Sequence, residues 1–297
     1  MGDAVKRFGR LGVAFMFGST AIWALMLIVI PHLMLLDYAF HANEGSVAKG
    51  LAPEGLTFYS FLPLFDELAG NTFVRTILTS FVITILALII CYPIAYYLAK
   101  VATNKYLSIL MLGLLVPFWV NEVLRAYAWR TLMAKTGLLN QLVVGMGFEP
   151  IEFFNYELPI LDANIALFVG LTYSYILFMV FPMYNAMESL DKNQIEAARD
   201  LGASWVRVHR KVVIPHAKPG IASGCIVTFM LVAGSYIVPV LLGGRSSFWF
   251  TQAIESQFSV LNWNGGSAYA LVLEIICLVF IMIAMKAFRV TLRDITR

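Results

Sequence analysis

Of the 297 residues, 60% are apolar and only 13% charged, whereas about a quarter of the residues of an ordinary water-soluble domain carry charge. That composition excludes a soluble enzyme or a nucleic-acid-binding module and requires an integral membrane protein. The formal net charge of +3 is explained better by the side of the membrane on which Lys and Arg fall than by an anionic partner.

The apolar stretches are continuous, not alternating, so they predict an all-α membrane protein and not a closed barrel. Six spans are expected, at about residues 11–36, 76–99, 106–127, 162–187, 218–243 and 267–288, within a single domain covering residues 1–297. The basic residues 1–10 precede an apolar run without a small-residue cleavage pattern, which reads as a retained first helix. An outer loop over residues 41–71 carries Gly45, Gly50, Pro53, Gly55 and Pro63, which argues against a long regular element there. Arg75 begins the second span, Tyr92-Pro93 predicts a kink near its end, and Lys100 and Lys105 close the next turn.

The third span brings Pro117, Asn121, Glu122 and Arg125 close together. Glu122 and Arg125, three residues apart, would share a helix face and pair, the least costly way to keep both charges near lipid. Leu138–Met146 is apolar but too short to cross and is expected at an outer interface. The fourth span holds Tyr173, Tyr175 and Tyr184, the fifth Tyr236 and Pro239, and the sixth an embedded acid, Glu274. Cys91, Cys225 and Cys277 lie in apolar runs without a C-x-x-C pair and read as free thiols. Fifteen of the 21 Lys and Arg residues fall on one set of loops and ends, those holding residues 1–10, 100–105, 188–218 and 286–297. This predicts that both termini and the island 188–218 are cytoplasmic.

The island is the most informative stretch. Asn193 and Glu196 have the spacing of a capping box for a helix over 194–201, and Gly202 sits where that helix needs a left-handed exit. Ser204 would cap a second helix with Trp205, Val208 and Val212 on one face and Arg207, Arg210 and Lys211 on another, ending at Pro215. Glu196-Ala197-Ala198, Gly202 and Val212-x-Ile214-Pro215 resemble the EAA loop of permease subunits of ATP-binding-cassette importers. Small Ala residues let a short helix enter a partner's groove, and Gly permits a close-packed elbow.

YPIAYYLAK (residues 92–100), VPFWVNEVLRAYAW (116–129), GLLN (137–140) and FPMYNAMESLDKNQIEAARDLGAS (181–204) narrow the resemblance to the first permease of spermidine/putrescine importers. What the resemblance implies is a type I importer permease fold with a cytoplasmic coupling helix in loop 188–217, the coupling residues being Glu196, Ala197, Ala198, Asp200, Gly202 and Pro215. The implied partners are a second homologous permease, two ATPase subunits, a periplasmic binding protein and the lipid bilayer, in a bacterial inner membrane. ATP and Mg would sit on the ATPases, with no cofactor on this chain. The implied solute is small and organic, a polyamine such as putrescine or spermidine first; an amino-acid-like compound, an opine, a quaternary amine or ferric iron is the alternative.

No G-x-x-x-x-G-K-[ST] loop is present, so ATP hydrolysis must come from a partner; no catalytic pattern is seen and His32, His41, His209 and His216 lack metal-ligand spacing. The rival of another class is an ion-coupled secondary transporter using Glu122 and Glu274, which would have no need of an EAA loop. Trp119, Asn121, Glu122, Arg125, Tyr173, Tyr236 and Glu274 are the candidate substrate path, with Glu122 and Glu274 as acids and Trp119, Tyr173 and Tyr236 as aromatic faces suited to an ammonium group. The outer segments add an acidic excess: Glu44, Glu54, Asp66, Glu67, Glu149, Glu152, Glu157, Asp162 and Glu255 against Lys49, Arg75, Arg130, Lys135 and Arg245.

Overall fold

The computed structural model describes residues 2–155, 157–158, 163–244 and 247–291; Asp162, Arg245, Arg293 and Arg297, counted above among the charges, lie outside them. Among the described residues, five helices are long and apolar enough to cross a membrane, and a sixth span arises if one sharply bent pair is taken together. The chain divides into two compact units, Met1–Asp66 with Ile254–Val272, and Glu67–Ala253 with Leu273–Arg297.

The smaller unit contains α1, Leu11–Ala39, whose apolar window is only 6% buried. Such a surface is stable only against lipid or another apolar chain. After it the loop forms only short pieces, a helix Glu44–Ala48 capped by the Asn43 side chain and a 3₁₀ segment Tyr59–Phe65. Phe40, Phe58 and Phe61 pack edge-on and tilted against one another. The Asn264 side-chain amide donates to the carbonyls of Tyr38 and His41, 3.1 and 2.9 Å away, and so holds the end of α1.

The larger unit begins with α2, Glu67–Val101, which starts eight residues before Arg75 and passes through Pro93 without a break; the disturbance expected there falls at Tyr97–Val101, a widened π turn. One row of α2 carries Thr76, Ser80 and Thr84, each hydroxyl donating to the carbonyl four residues back at 2.7–2.9 Å. Local bonding of this kind lets hydroxyls be buried among helices, and Thr76 Oγ1 also accepts from the Phe250 N–H at 3.0 Å. Two bent helices follow, α3, Lys105–Trp119, and α4, Glu122–Leu132, turned 93° from each other. The continuous third span expected over 106–127 is therefore broken. Val120 and Asn121 are extended, and the Asn121 side chain caps α4 by accepting from the Val123 N–H at 2.8 Å.

Helix α5, Leu138–Gly145, is the short apolar helix expected from the sequence, and Glu157–Leu158 pairs antiparallel with Ala163–Asn164. Then come α6, Ile165–Glu188, α7, Lys192–Asp200, and α8, Trp205–Ala233. Pro215 does not end the second island helix: that helix runs on into the membrane, and the widened turn His209–Val213 just before it opens room for the proline ring. The fifth span in turn stops at Ala233 instead of 243, giving way to Gly234, Ser235 and Tyr236 before the short α9, Ile237–Leu242. Helix α10, Phe250–Ser259, and α11, Trp263–Phe288, complete the chain.

Helices α6 and α8 form the inner pair of the larger unit. Lipid tails are as apolar as Leu, so helices in a membrane associate through close packing, and small residues permit it. Gly220 and Gly224, a G-x-x-x-G pair, supply that here. A Cβ on Gly220 would stand 2.3 Å from the Pro182 carbonyl oxygen, and one on Gly224 would stand 2.9 Å from Met179 Sδ. One apolar cluster joins Ala87, Cys91 and Ala95 of α2 to Met179, Met183 and Met187 of α6, and continues into the island through Ile195, Val208 and Val213. A second gathers Ile83, Leu167, Leu171, Tyr175, Val238, Leu242 and Trp249.

Candidate functional site

The island is an ordered elbow. Its first helix, α7, is capped not through Asn193, as its spacing with Glu196 suggested, but two residues earlier: Asp191 Oδ1 accepts from the Asn193 N–H at 2.9 Å. A carboxylate at this position also complements the positive end of the helix. Gly202 takes φ +78°, the left-handed exit expected from the sequence, but nothing lies within 4 Å of the place a side chain would occupy. The elbow is not close-packed in this chain, and glycine is required there by its backbone conformation.

One face of α7 is anchored through buried Ile195 and half-buried Ala198, while Glu196, Ala197, Asp200 and Leu201 are exposed. Leu201 is 88% exposed, and Trp205 and Val206 beside it are 60% and 66% exposed. Apolar side chains thus project from an otherwise charged elbow. The island is also closed upon itself: Ser189 Oγ lies 3.0 Å from His216 Nε2. Ser204 stands at the head of α8 without a side-chain capping bond, and Pro215 is exposed in the first turn of the α-helical stretch Ile214–Ala233.

A second site lies where two helices break. An open cavity of about 390 Å³ is lined by Glu122, Tyr175, Met230, Leu231, Gly234, Ser235, Tyr236 and Ile237. Glu122 opens α4 immediately after the 93° bend, and the 234–236 segment is the unwound end of α8. The Tyr175 hydroxyl donates to Glu122 Oε1 at 2.7 Å, a charge-assisted bond that fixes the carboxylate yet leaves further lone pairs for a ligand. Among the described residues no ion pair joins Glu122 to Arg125. The guanidinium instead lies over the Phe118 ring, 5.1 Å from its centroid, so the expected neutralisation of Glu122 is replaced by a bond to tyrosine.

Of the candidate path residues, Glu122 and Tyr236 line this cavity, and Asn121 caps the helix that begins with Glu122. Trp119 ends α3 and is exposed. Tyr173 packs edge-on against Trp129 at 5.2 Å and, like half-buried Glu274, is not among the cavity-lining residues. Tyr175 and Ser235 were missed as site residues. Tyr175 was legible only as one of several fourth-span aromatics, and Ser235 only as a small residue beside Gly234 in a stretch read as continuous helix.

Residues 64–290 match the family of binding-protein-dependent transport system inner membrane components. The chain belongs to that family. The permease is 30% identical to the spermidine/putrescine transport system permease protein PotB of Haemophilus influenzae over 98% of this chain and 97% of that one. Identity to the PotB of Escherichia coli K12 is 28%, over 90% and 94% of the two chains, and to the inner membrane ABC transporter permease YdcU of the same organism 29%, over 88% and 85%. In fold it is similar to a chain of a bacterial alginate ABC transporter, with a TM-score of 0.75 at 16% identity, covering 95% of this chain and 94% of that one. A chain of the MetNI methionine transporter gives 0.53 at 19% identity, covering 77% and 97%. The permease is thus a membrane-spanning subunit of an ATP-binding-cassette importer, with ATPase and binding-protein partners.

Proposed function

We propose that the permease carries a small organic cation, a polyamine such as putrescine or spermidine, from a periplasmic binding protein into the cytoplasm. The observation that carries this reading is the Glu122 carboxylate held by Tyr175 in a cavity that Tyr236 also lines. A carboxylate flanked by aromatic rings suits an ammonium group, which it can meet by hydrogen bonding and cation–π attraction. The full-length likeness to permeases named for spermidine and putrescine supports the same solute.

In this reading the permease pairs with a second, homologous permease and two ATPase subunits. Both of its termini and the island face the cytoplasm, where α7, from Glu196 to Gly202, docks on an ATPase. ATP and Mg bind to the ATPases, the permease performs no bond chemistry, and closure of the ATPases moves the elbow and changes access to the cavity. Thirteen residues of α6, about 20 Å of helix, separate Tyr175 from Glu188 at the island, so a rigid helix pair is a sufficient transmission. The test is uptake by the complex reconstituted with its receptor: putrescine and spermidine enter and compete. Entry of a neutral or anionic solute, with no entry of or competition by either polyamine, rejects the cation.

A further inference from the structure

The second span meets the island at both of its ends. Tyr92, Tyr96 and Lys100 stand four residues apart along α2. At the start of the island, the Lys100 ammonium donates to the carbonyl of Glu188 at 3.1 Å and, more closely, to that of Leu190. These carbonyls terminate α6, where a cation is favoured by the free acceptors and by the helix dipole. At the far side of the island, the Tyr92 hydroxyl lies 2.6 Å from His209 Nδ1, and the Tyr96 ring is 4.4 Å from the His209 ring. His209 is 5% exposed, and Trp205 covers it at 4.0 Å. Lys100 and His209 both stand in widened turns, Tyr97–Val101 and His209–Val213, the kind of helical irregularity that absorbs a change of register.

We propose that Tyr92, Tyr96 and Lys100 form a clamp through which displacement of α7 is delivered to α2, making these three the positioning residues of coupling although they lie about ninety to a hundred residues before the docking helix. The proposal rests on the reading of α7 as the ATPase-docking element. Without the clamp, motion of α7 reaches α2 only through the apolar cluster that it shares with α6 and α8. With it, three helices of one packed cluster move together, and α2 is driven from both ends of the island at once. A lysine that merely capped α6 would contribute to stability and leave the link between nucleotide state and cavity intact.

The experiment uses the whole complex in proteoliposomes, with a reporter cysteine at Ile237→Cys in the cavity. Labelling by a thiol reagent is compared between nucleotide-free complexes and complexes trapped with ATP and vanadate, beside the rate of ATP hydrolysis. In Lys100→Met and in Tyr92→Phe, ATP hydrolysis continues while the trap-dependent change in labelling shrinks at least about fivefold, the lower end of ordinary coupling between sites. Lys100→Arg restores it. A full change in both Lys100→Met and Tyr92→Phe overturns the clamp. If Lys100→Met fails to accumulate, Tyr92→Phe, which removes one hydroxyl, decides alone. Gly202→Asp separates the two levels: loss of the change in Gly202→Asp but not in the clamp variants rejects the clamp only, and retention of it in all three rejects the docking role of α7.

Discussion

The island end of the larger unit is closed, and the Glu122 end is open. At the island, Ile195, Val208 and Val213 are sealed into the same apolar cluster as α2 and α6, and its two ends are tied by Ser189 and His216. At Glu122, two helices stop short, α3 at Trp119 and α8 at Ala233, and unwound backbone borders a cavity of about 390 Å³. A subunit that receives force at one end and passes solute at the other needs this difference. Force is transmitted by elements that cannot yield, and a path needs space and polar groups released from helical bonding.

Six substitutions would break or sharpen that contrast. The largest effect is expected from Gly202→Asp, which places a charged side chain at φ +78° on the face proposed to meet the ATPase. Uptake should fall to background with the protein still in the membrane. Gly202→Ala, which adds only backbone strain of about 1 kcal/mol, should retain most uptake, and equal damage by both would locate the requirement in the backbone alone.

Gly220→Val tests the rigid side. Its Cβ would fall 2.3 Å from the Pro182 carbonyl and 2.5 Å from the Ala186 Cβ, so α6 and α8 must separate, with a loss of about 1–3 kcal/mol. The midpoint of thermal unfolding in detergent, followed by labelling of buried Cys91 and Cys225, should drop, and an unchanged midpoint would contradict the close packing.

The two ends also differ in how far they could be read from the sequence. The elbow is encoded locally: Glu196-Ala197-Ala198, Gly202 and Pro215 lie within twenty residues, and the positive φ of Gly202 follows from that spacing. Even there, Asp191 outcompeted Asn193 as the cap, and Pro215 was absorbed by a widened turn that no composition rule signals. The cavity is assembled from α4, α6, the end of α8 and the start of α9, so its partners come from stretches roughly fifty to 115 residues apart. The Glu122–Tyr175 bond could not be foreseen against a Glu122–Arg125 pair, because Tyr175 lies 53 residues away on another helix. Gly220 and Gly224 were readable in principle, since their spacing is a known packing signal, but they sit in a run whose hydropathy alone looked sufficient.

Glu122→Gln sharpens the open side. It keeps an acceptor for Tyr175 while removing the charge, and uptake of a divalent polyamine should need about tenfold more solute, close to 1.4 kcal/mol. Tyr175→Phe should have a smaller effect in the same direction. An unaltered concentration dependence in Glu122→Gln would remove this carboxylate from the path. The smallest effect is expected from Asp191→Ala, which deletes the cap of α7 and should lower helix stability by about 1 kcal/mol; amide exchange over residues 192–200 should accelerate, with uptake reduced only in part.

The elbow is proposed as the surface met by the ATPase. Leu201, 88% exposed at its tip, offers the most direct measurement: Leu201→Cys in the assembled complex, carrying a short photoreactive cross-linker attached through the new thiol, irradiated and separated by size. A product containing the permease and one ATPase subunit, whose yield changes when ATP is bound, is the predicted result. Absence of any such product from Leu201→Cys, and equally from Ala197→Cys and Trp205→Cys on the same exposed surface, would contradict it.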